Sequence, residues 1–161
     1  MGDIYTVKTK YLIQAAVIAA VYAAVTLLLA PFSYGLMQVR VSEALTVLPY
    51  FTPAAVPGLF VGCLIANTLS PIGMADLICG SAASLLAAWL SYLLRRKPLL
   101  VPAPPVVINA AVIGALLHFI YGIPAALPVC MAWVAAGQIA ACYVLGYPLL
   151  CYLKKYKRIF E

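Results

Sequence analysis

The charged residues of this chain leave four long intervals empty, and that spacing decides what the chain can fold into. No Asp, Glu, Lys or Arg occurs from Tyr11 to Val39, from Ala44 to Ala75, from Leu77 to Leu94 or from Pro98 to Leu153. Each interval reaches the roughly 18 apolar residues that mark a candidate membrane-spanning helix. With 66% of its residues apolar and 9% charged, and a mean hydropathy of +1.08, the chain stands apart from soluble domains, where about a quarter of residues are charged. The expected fold is all-α: a polytopic membrane protein, one transmembrane domain over residues 1–161.

A net charge of +6 could point to nucleic acid, but the cations flank the apolar runs. Lys8 and Lys10 precede the first run, Arg95, Arg96 and Lys97 divide the chain, and Lys154, Lys155, Lys157 and Arg158 follow the last. That pattern fits anchoring at an anionic cytoplasmic leaflet, and no nucleic-acid partner is expected. The run from Tyr11 to Ala30 is longer than a signal-peptide core and is expected to stay as a helix. Cys63, Cys79, Cys130, Cys142 and Cys151 form no CxxC pair and lie in or beside apolar runs, so they read as small packed hydrophobes. With His118 the single histidine, no metal site is expected.

Placing all three cationic clusters in the cytoplasm requires an even number of crossings between neighbours. Two helices fit between Pro98 and Leu153, turning at Tyr121–Pro124. Between Lys10 and Arg95 the first and last runs cross once each, so Ala44–Ala75 crosses twice, punctuated by Thr52-Pro53 and Pro57-Gly58. The result is six transmembrane helices with both termini cytoplasmic, at about 11–30, 42–51, 57–69, 76–94, 104–121 and 128–153. The second and third fall short of the roughly 20 residues of an ideal span and need thinning of the bilayer or shelter by neighbours.

In this topology Arg40, Glu43 and Asp76 lie at the outer face, away from the anchoring clusters. Polar and apolar residues alternate from Gln38 to Glu43, which would put the polar side chains on one side of an extended loop. Asn67, His118, Tyr121, Trp133 and Gln138 are placed near the same end, with Asn109 deepest. Polar groups in hydrocarbon face a bundle interior or a wet cavity and are functional candidates. Each also has a plainer reading. Arg40 with Glu43 fits a loop ion pair, and Asp76 fits a cap on the helix from Leu77. Asn67, Asn109 and Gln138 fit interhelical hydrogen bonding, His118 fits a core, and Tyr121 fits an interfacial belt. Together, amides, carboxylates, an imidazole and aromatics suit a flat heterocycle: carboxylates accept from adjacent N–H groups, and Trp133 or Tyr121 could stack on the ring.

The first helix carries Ala15, Ala19 and Ala23 on one stripe, with Ala16, Ala20 and Ala24 beside it. Spacing by four puts each set on one face, where small residues let another helix approach, either in this chain or in a partner. Gly58, Gly62 and Ala66 repeat the pattern. The chain has no phosphate-binding GxxxxGK[ST] loop and no HExxH or GxSxG motif, so neither ATP hydrolysis by that route nor enzymatic activity is expected.

The segment Gln38-Val39-Arg40-Val41-Ser42-Glu43-Ala44-Leu45-Thr46-Val47-Leu48-Pro49, followed by Phe51-Thr52-Pro53-Ala54-Ala55-Val56-Pro57-Gly58-Leu59, resembles the QueT family. Further similar segments are Gly62–Asn67, Asp76 with Gly80-Ser81, and Pro104–Ala110. The resemblance implies a substrate-binding (S) subunit of an energy-coupling factor (ECF) transporter in the bacterial cell membrane, with its pocket open to the outside. It implies a 7-deazapurine cargo, a queuosine precursor such as the aminomethyl or cyano base, or queuine. The partners it implies are a transmembrane coupling subunit, docked on Ala15, Ala16, Ala19, Ala20 and Ala23, and two ATPases. ATP would be used by those ATPases, with no cofactor in this chain. Glu43 would face the guanine-like edge and Asp76 would be the counter-ion of a cationic aminomethyl group. The competing expectation is a stand-alone ion- or proton-coupled carrier using Glu43, Asp76 and His118.

Overall fold

A computed structural model of the chain describes residues 2–34, 39–70 and 73–159. Among the described residues every regular element is a helix. Helix α1 runs Gly2–Leu28, α2 Val41–Tyr50, α3 Ala55–Asn67, α4 Asp76–Arg96, α5 Ala103–Phe119 and α6 Leu127–Tyr156. Among the described residues four segments are long and apolar enough to cross a membrane: Lys8–Leu28, Asp76–Arg96, Pro98–Phe119 and Leu127–Tyr156.

The helices differ from the expected limits in informative places, α1 beginning at Gly2 rather than near residue 11. Helix α1 stops at Leu28 because Leu29 leaves helical geometry, and a separate turn, Ala30–Ser33, starts with Pro31 in its first turn. Helix α6 widens to a π-helix over Ala140–Gly146 just before Pro148. Proline has no N–H and crowds the carbonyl four residues back, which the wider turn accommodates. Of the alternating segment Gln38–Glu43 expected as an extended loop, Gln38 lies outside the described residues and Arg40 is extended, whereas Val41–Tyr50 forms a 3₁₀-helix.

That 3₁₀ geometry bears on the length of α2. At about 2.0 Å per residue, ten residues reach roughly 20 Å, against about 15 Å for an α-helix. Its start is tied to Thr26, whose hydroxyl lies 2.6 Å from that of Ser42. Thr52, just past its end, donates to Gln14 Oε1 at 2.9 Å. Helix α2 therefore runs back along α1 from the level of Thr26 to that of Gln14. Helix α3 then returns parallel to α1, with Gly58 at Ala15 and Ile18, and Gly62 at Ala19 and Tyr22.

The α1–α3 contact is close enough to exclude any side chain at those glycines. A Cβ on Gly58 would sit 2.8 Å from the Ala15 carbonyl, and one on Gly62 2.8 Å from both the Ala19 carbonyl and Tyr22 Cβ. The stripe of Ala15, Ala19 and Ala23 is thus filled by α3 of the same chain. Ala16, Ala20 and Ala24, with Leu12, Val17 and Val21, remain exposed. The docking face expected from sequence is split between an internal seam and an open face.

At the end holding Gln14 and Thr52, Ser91 Oγ donates to the Val101 carbonyl at 2.8 Å, and the Lys154 ammonium lies 5.1 Å from the Tyr50 ring centre. Large apolar side chains cover the perimeter, while Thr26, Ser42, Glu43, Asp76 and Gln138 are buried. The molecule is apolar outside and polar at selected points within, the arrangement a bilayer demands.

Candidate functional site

The buried charged residues Arg40, Glu43 and Asp76, with Asn67 and Ser70, lie at the end of the bundle away from the Thr52 and Arg95 connections. Arg40, in the connection before α2, sends Nη2 to Asp76 Oδ2 at 3.0 Å, and both side chains are almost wholly buried. The Ser70 hydroxyl donates to the same oxygen at 2.6 Å. The Arg40 guanidinium also lies 5.4 Å from the Tyr34 ring centre, and Tyr34 Oη donates to the Ala66 carbonyl at 2.6 Å. Burial works against the Arg40 charge, but Asp76 together with Cys63, Tyr22 and Glu43 outweighs it, so the guanidinium holds its proton more tightly than a free arginine. Burial likewise pushes the Tyr34 phenol above its ordinary value, against the opposing effect of Arg40.

The described partners of the Asp76 carboxylate are thus side chains, Arg40 and Ser70, and Asp76 sits in the first turn of its π-segment. Arg40 and Glu43 do not pair as loop neighbours, since the partner of Arg40 comes from α4. The Asp76 side chain folds back over the π-turn of Asp76–Gly80, and a Cβ on Gly80 would collide with Asp76 Oδ1. A larger residue at position 80 would have to displace the Asp76 carboxylate.

Glu43 is held differently. In a 3₁₀-helix residues three apart eclipse, so Glu43 and Thr46 share a face. Tyr22 of α1 donates to Glu43 Oε1 at 2.5 Å, while Thr46 Oγ1 donates to the Glu43 carbonyl at 2.6 Å. Cys142, in the π-segment of α6, contacts the same carbonyl at 3.6 Å and Gln138 Oε1 at 3.5 Å. Asn67 of α3 donates through Nδ2 to the Asp76 carbonyl at 3.0 Å and lies 3.4 Å from both Cys63 Sγ and Ser81 Oγ. Ser84 Oγ reaches Cys63 at 3.1 Å.

Among the described residues, four buried atoms in this group have no hydrogen-bond partner: Arg40 Nε, Glu43 Oε2, Asn67 Oδ1 and Asp76 Oδ1. Leaving one such group unmet costs about 1–3 kcal/mol, and charged groups cost more. The charges do not cancel either. Arg40 and Asp76 neutralise one another, whereas the described hydrogen bond to the Glu43 carboxylate comes from a neutral phenol. Three unmet acceptors against one unmet donor suit a molecule rich in N–H groups.

Of the residues picked out in the sequence, the structure brings Arg40, Asn67 and Asp76 into one network and sets Glu43 and Gln138 in another joined through Cys142. Asn109 on α5 is 3% exposed, and no hydrogen bond among the described residues holds it. His118, Tyr121 and Trp133 are not drawn into either network by any described hydrogen bond or ring contact. His118 Nδ1 lies 2.9 Å from the Ala125 carbonyl, with its ring edge-on to Phe119, Tyr121 is exposed, and Trp133 is half-buried. Tyr22, Cys63, Ser70 and Cys142 were missed. Tyr22 had a signal, a tyrosine interrupting an alanine stripe; the cysteines, read as hydrophobes, had none.

A family profile described as QueT transporter matches residues 12–155. The chain is 35% identical over 89 residues to a protein named "Queuosine precursor transporter QueT" from Lactococcus lactis subsp. cremoris (strain MG1363). That match covers 54% of this chain and 52% of the relative, so the chain spans about half the length of the relative it matches. No solved structure matches the chain.

Proposed function

The chain belongs to the QueT transporter family, and on that premise we propose that it captures a queuosine precursor, a 7-deazaguanine derivative or queuine, and carries it across a bacterial cell membrane. The observation that carries this reading is the buried group with four unmet polar atoms. A folded protein tolerates such a group when a guest compensates for it. A guanine-like edge offers adjacent N–H donors, which suit Glu43 Oε2 and the Asn67 and Asp76 oxygens. Asp76, whose Oδ1 is unmet beside its pair with Arg40, would face a cationic aminomethyl substituent, leaving Glu43 to the guanine-like edge. Asn109, unpartnered at depth, and Gln138 complete the contact set; His118, Tyr121 and Trp133 would close over it from the α5–α6 end.

Six crossings with both termini cytoplasmic fit the geometry: α2 and α3 each travel the length of α1 between Gln14 and Thr26, sheltered by it despite their shortness. The site then opens to the outside. Transport is driven by an ECF coupling subunit with two ATPases, and the exposed Ala16–Ala20 face of α1 is the docking surface left available for that subunit.

Titration of the purified protein with deazapurines tests the cargo, with affinity for 7-deazaguanines well above that for guanine as the expected result. Glu43→Gln should weaken binding by about 1–3 kcal/mol. Equal affinity for ordinary purines, or an unchanged affinity in Glu43→Gln, would refute the assignment. Uptake into vesicles that lack any ATPase would replace the ECF mechanism by an ion-coupled one.

A further inference from the structure

The hydrogen bond between Tyr22 and Glu43 ties a residue outside the sequence-based site to its uncompensated carboxylate. Tyr22 is 1% exposed. Its 2.5 Å contact with Oε1 lies in the range of charge-assisted O–H···O⁻ bonds. The phenol has little freedom, because its Cβ packs at the Gly62 backbone. One turn on, Thr26 Oγ1 donates to the Tyr22 carbonyl at 2.8 Å and meets the Ser42 hydroxyl at 2.6 Å. Helices α1 and α2 are thus fastened on both sides of the carboxylate, and its second oxygen is left unpartnered.

Resting on the ligand-binding reading above, we infer that Tyr22 is a positioning residue that sets the selectivity of the site, occupying Glu43 Oε1 so that Oε2 alone meets the N–H edge of the guest. A carboxylate free to rotate accepts from many donor patterns. One with an oxygen already engaged in a fixed direction accepts from one. Selectivity against a guest lacking the matching amino group then follows from leaving Oε2 buried and unmet.

The test compares 7-deazaguanine with its analogue lacking the 2-amino group, on full-length protein in detergent. Wild type should favour the amino compound. Tyr22→Phe should lower affinity for it about tenfold, the loss of one charge-assisted bond, and leave the analogue within about twofold. In a Glu43→Gln background Tyr22→Phe should have no further effect. Equal losses for both compounds, or losses that add to those of Glu43→Gln, would mean that Tyr22 only packs, and would overturn the inference while the cargo assignment stands. A wild type that binds neither compound overturns the cargo assignment and this role with it. A measurement on wild type needs no variant. The chain has two glutamates, Glu43 and Glu161, so carbon-13 labelling of glutamate isolates their carboxylate bands in the infrared. The ligand should move one of them, and a spectrum indifferent to bound ligand would remove Oε2, and Tyr22 with it, from recognition.

Discussion

Removing the buried Arg40–Asp76 pair one member at a time and then together gives a test with opposite signs. Arg40→Met leaves Asp76 fully buried with the Ser70 hydroxyl as its described donor. Breaking a buried pair from one side costs about 3–5 kcal/mol. At about 2–4 °C per kcal/mol for a chain of this size, the midpoint should fall by roughly 6–20 °C. Asp76→Leu leaves the Arg40 charge, but Glu43 is near enough to interact with it electrostatically, so the loss should be the smaller of the two. The double replacement removes both charges and, with them, the hydrogen bond from Ser70 to Asp76, a cost of about 0.5–1.5 kcal/mol. It should therefore melt above Arg40→Met, with a coupling of several kcal/mol rather than additivity. The assay is thermal unfolding in detergent followed by a thiol-reactive fluorophore, since Cys63, Cys130 and Cys142 are buried until the bundle opens. A double variant that melts at or below the weaker single one would refute the reasoning, because the pair would then contribute through something other than mutual compensation.

Gly62→Ala should lower stability by about 1–3 kcal/mol, since its Cβ meets backbone rather than a flexible side chain; an unchanged melting midpoint would contradict the close α1–α3 seam. Ala16→Leu with Ala20→Leu, on the open face of α1, should leave ligand affinity intact and abolish ATP-driven uptake in cells holding the coupling subunits; full uptake would remove that face from docking. Asn109→Leu should weaken the ligand by about 1–3 kcal/mol without loss of stability, because no described hydrogen bond holds the amide; unchanged binding would take it out of the site.

The charge-free intervals made the helices legible, because hydrocarbon admits few alternatives to a helix and the cationic clusters mark where each helix ends. The polar candidates were legible for the same reason: Arg40, Glu43, Asn67, Asp76 and Gln138 stand out against an apolar background and all prove buried. Their pairing was not. Sequence proximity suggested Arg40 with Glu43 and a capping role for Asp76, yet Arg40 meets Asp76 across 36 positions of chain. Which carboxylate finds the cation depends on how α2 and α4 pack, and no local pattern encodes that.

The alanine stripe shows the same division. Spacing by four fixed that α1 has a face where another helix can approach, since periodicity is a property of one helix alone. Only the assembled bundle decided that α3 of the same chain fills Ala15, Ala19 and Ala23, leaving Ala16 and Ala20 open. It also decided that Tyr22, within that stripe, points its hydroxyl at Glu43. Composition and spacing determine which groups must leave water and which faces can pack; the partner each buried group meets is settled by long-range packing, because the cost of an unmet polar atom is felt only once the helices have closed around it.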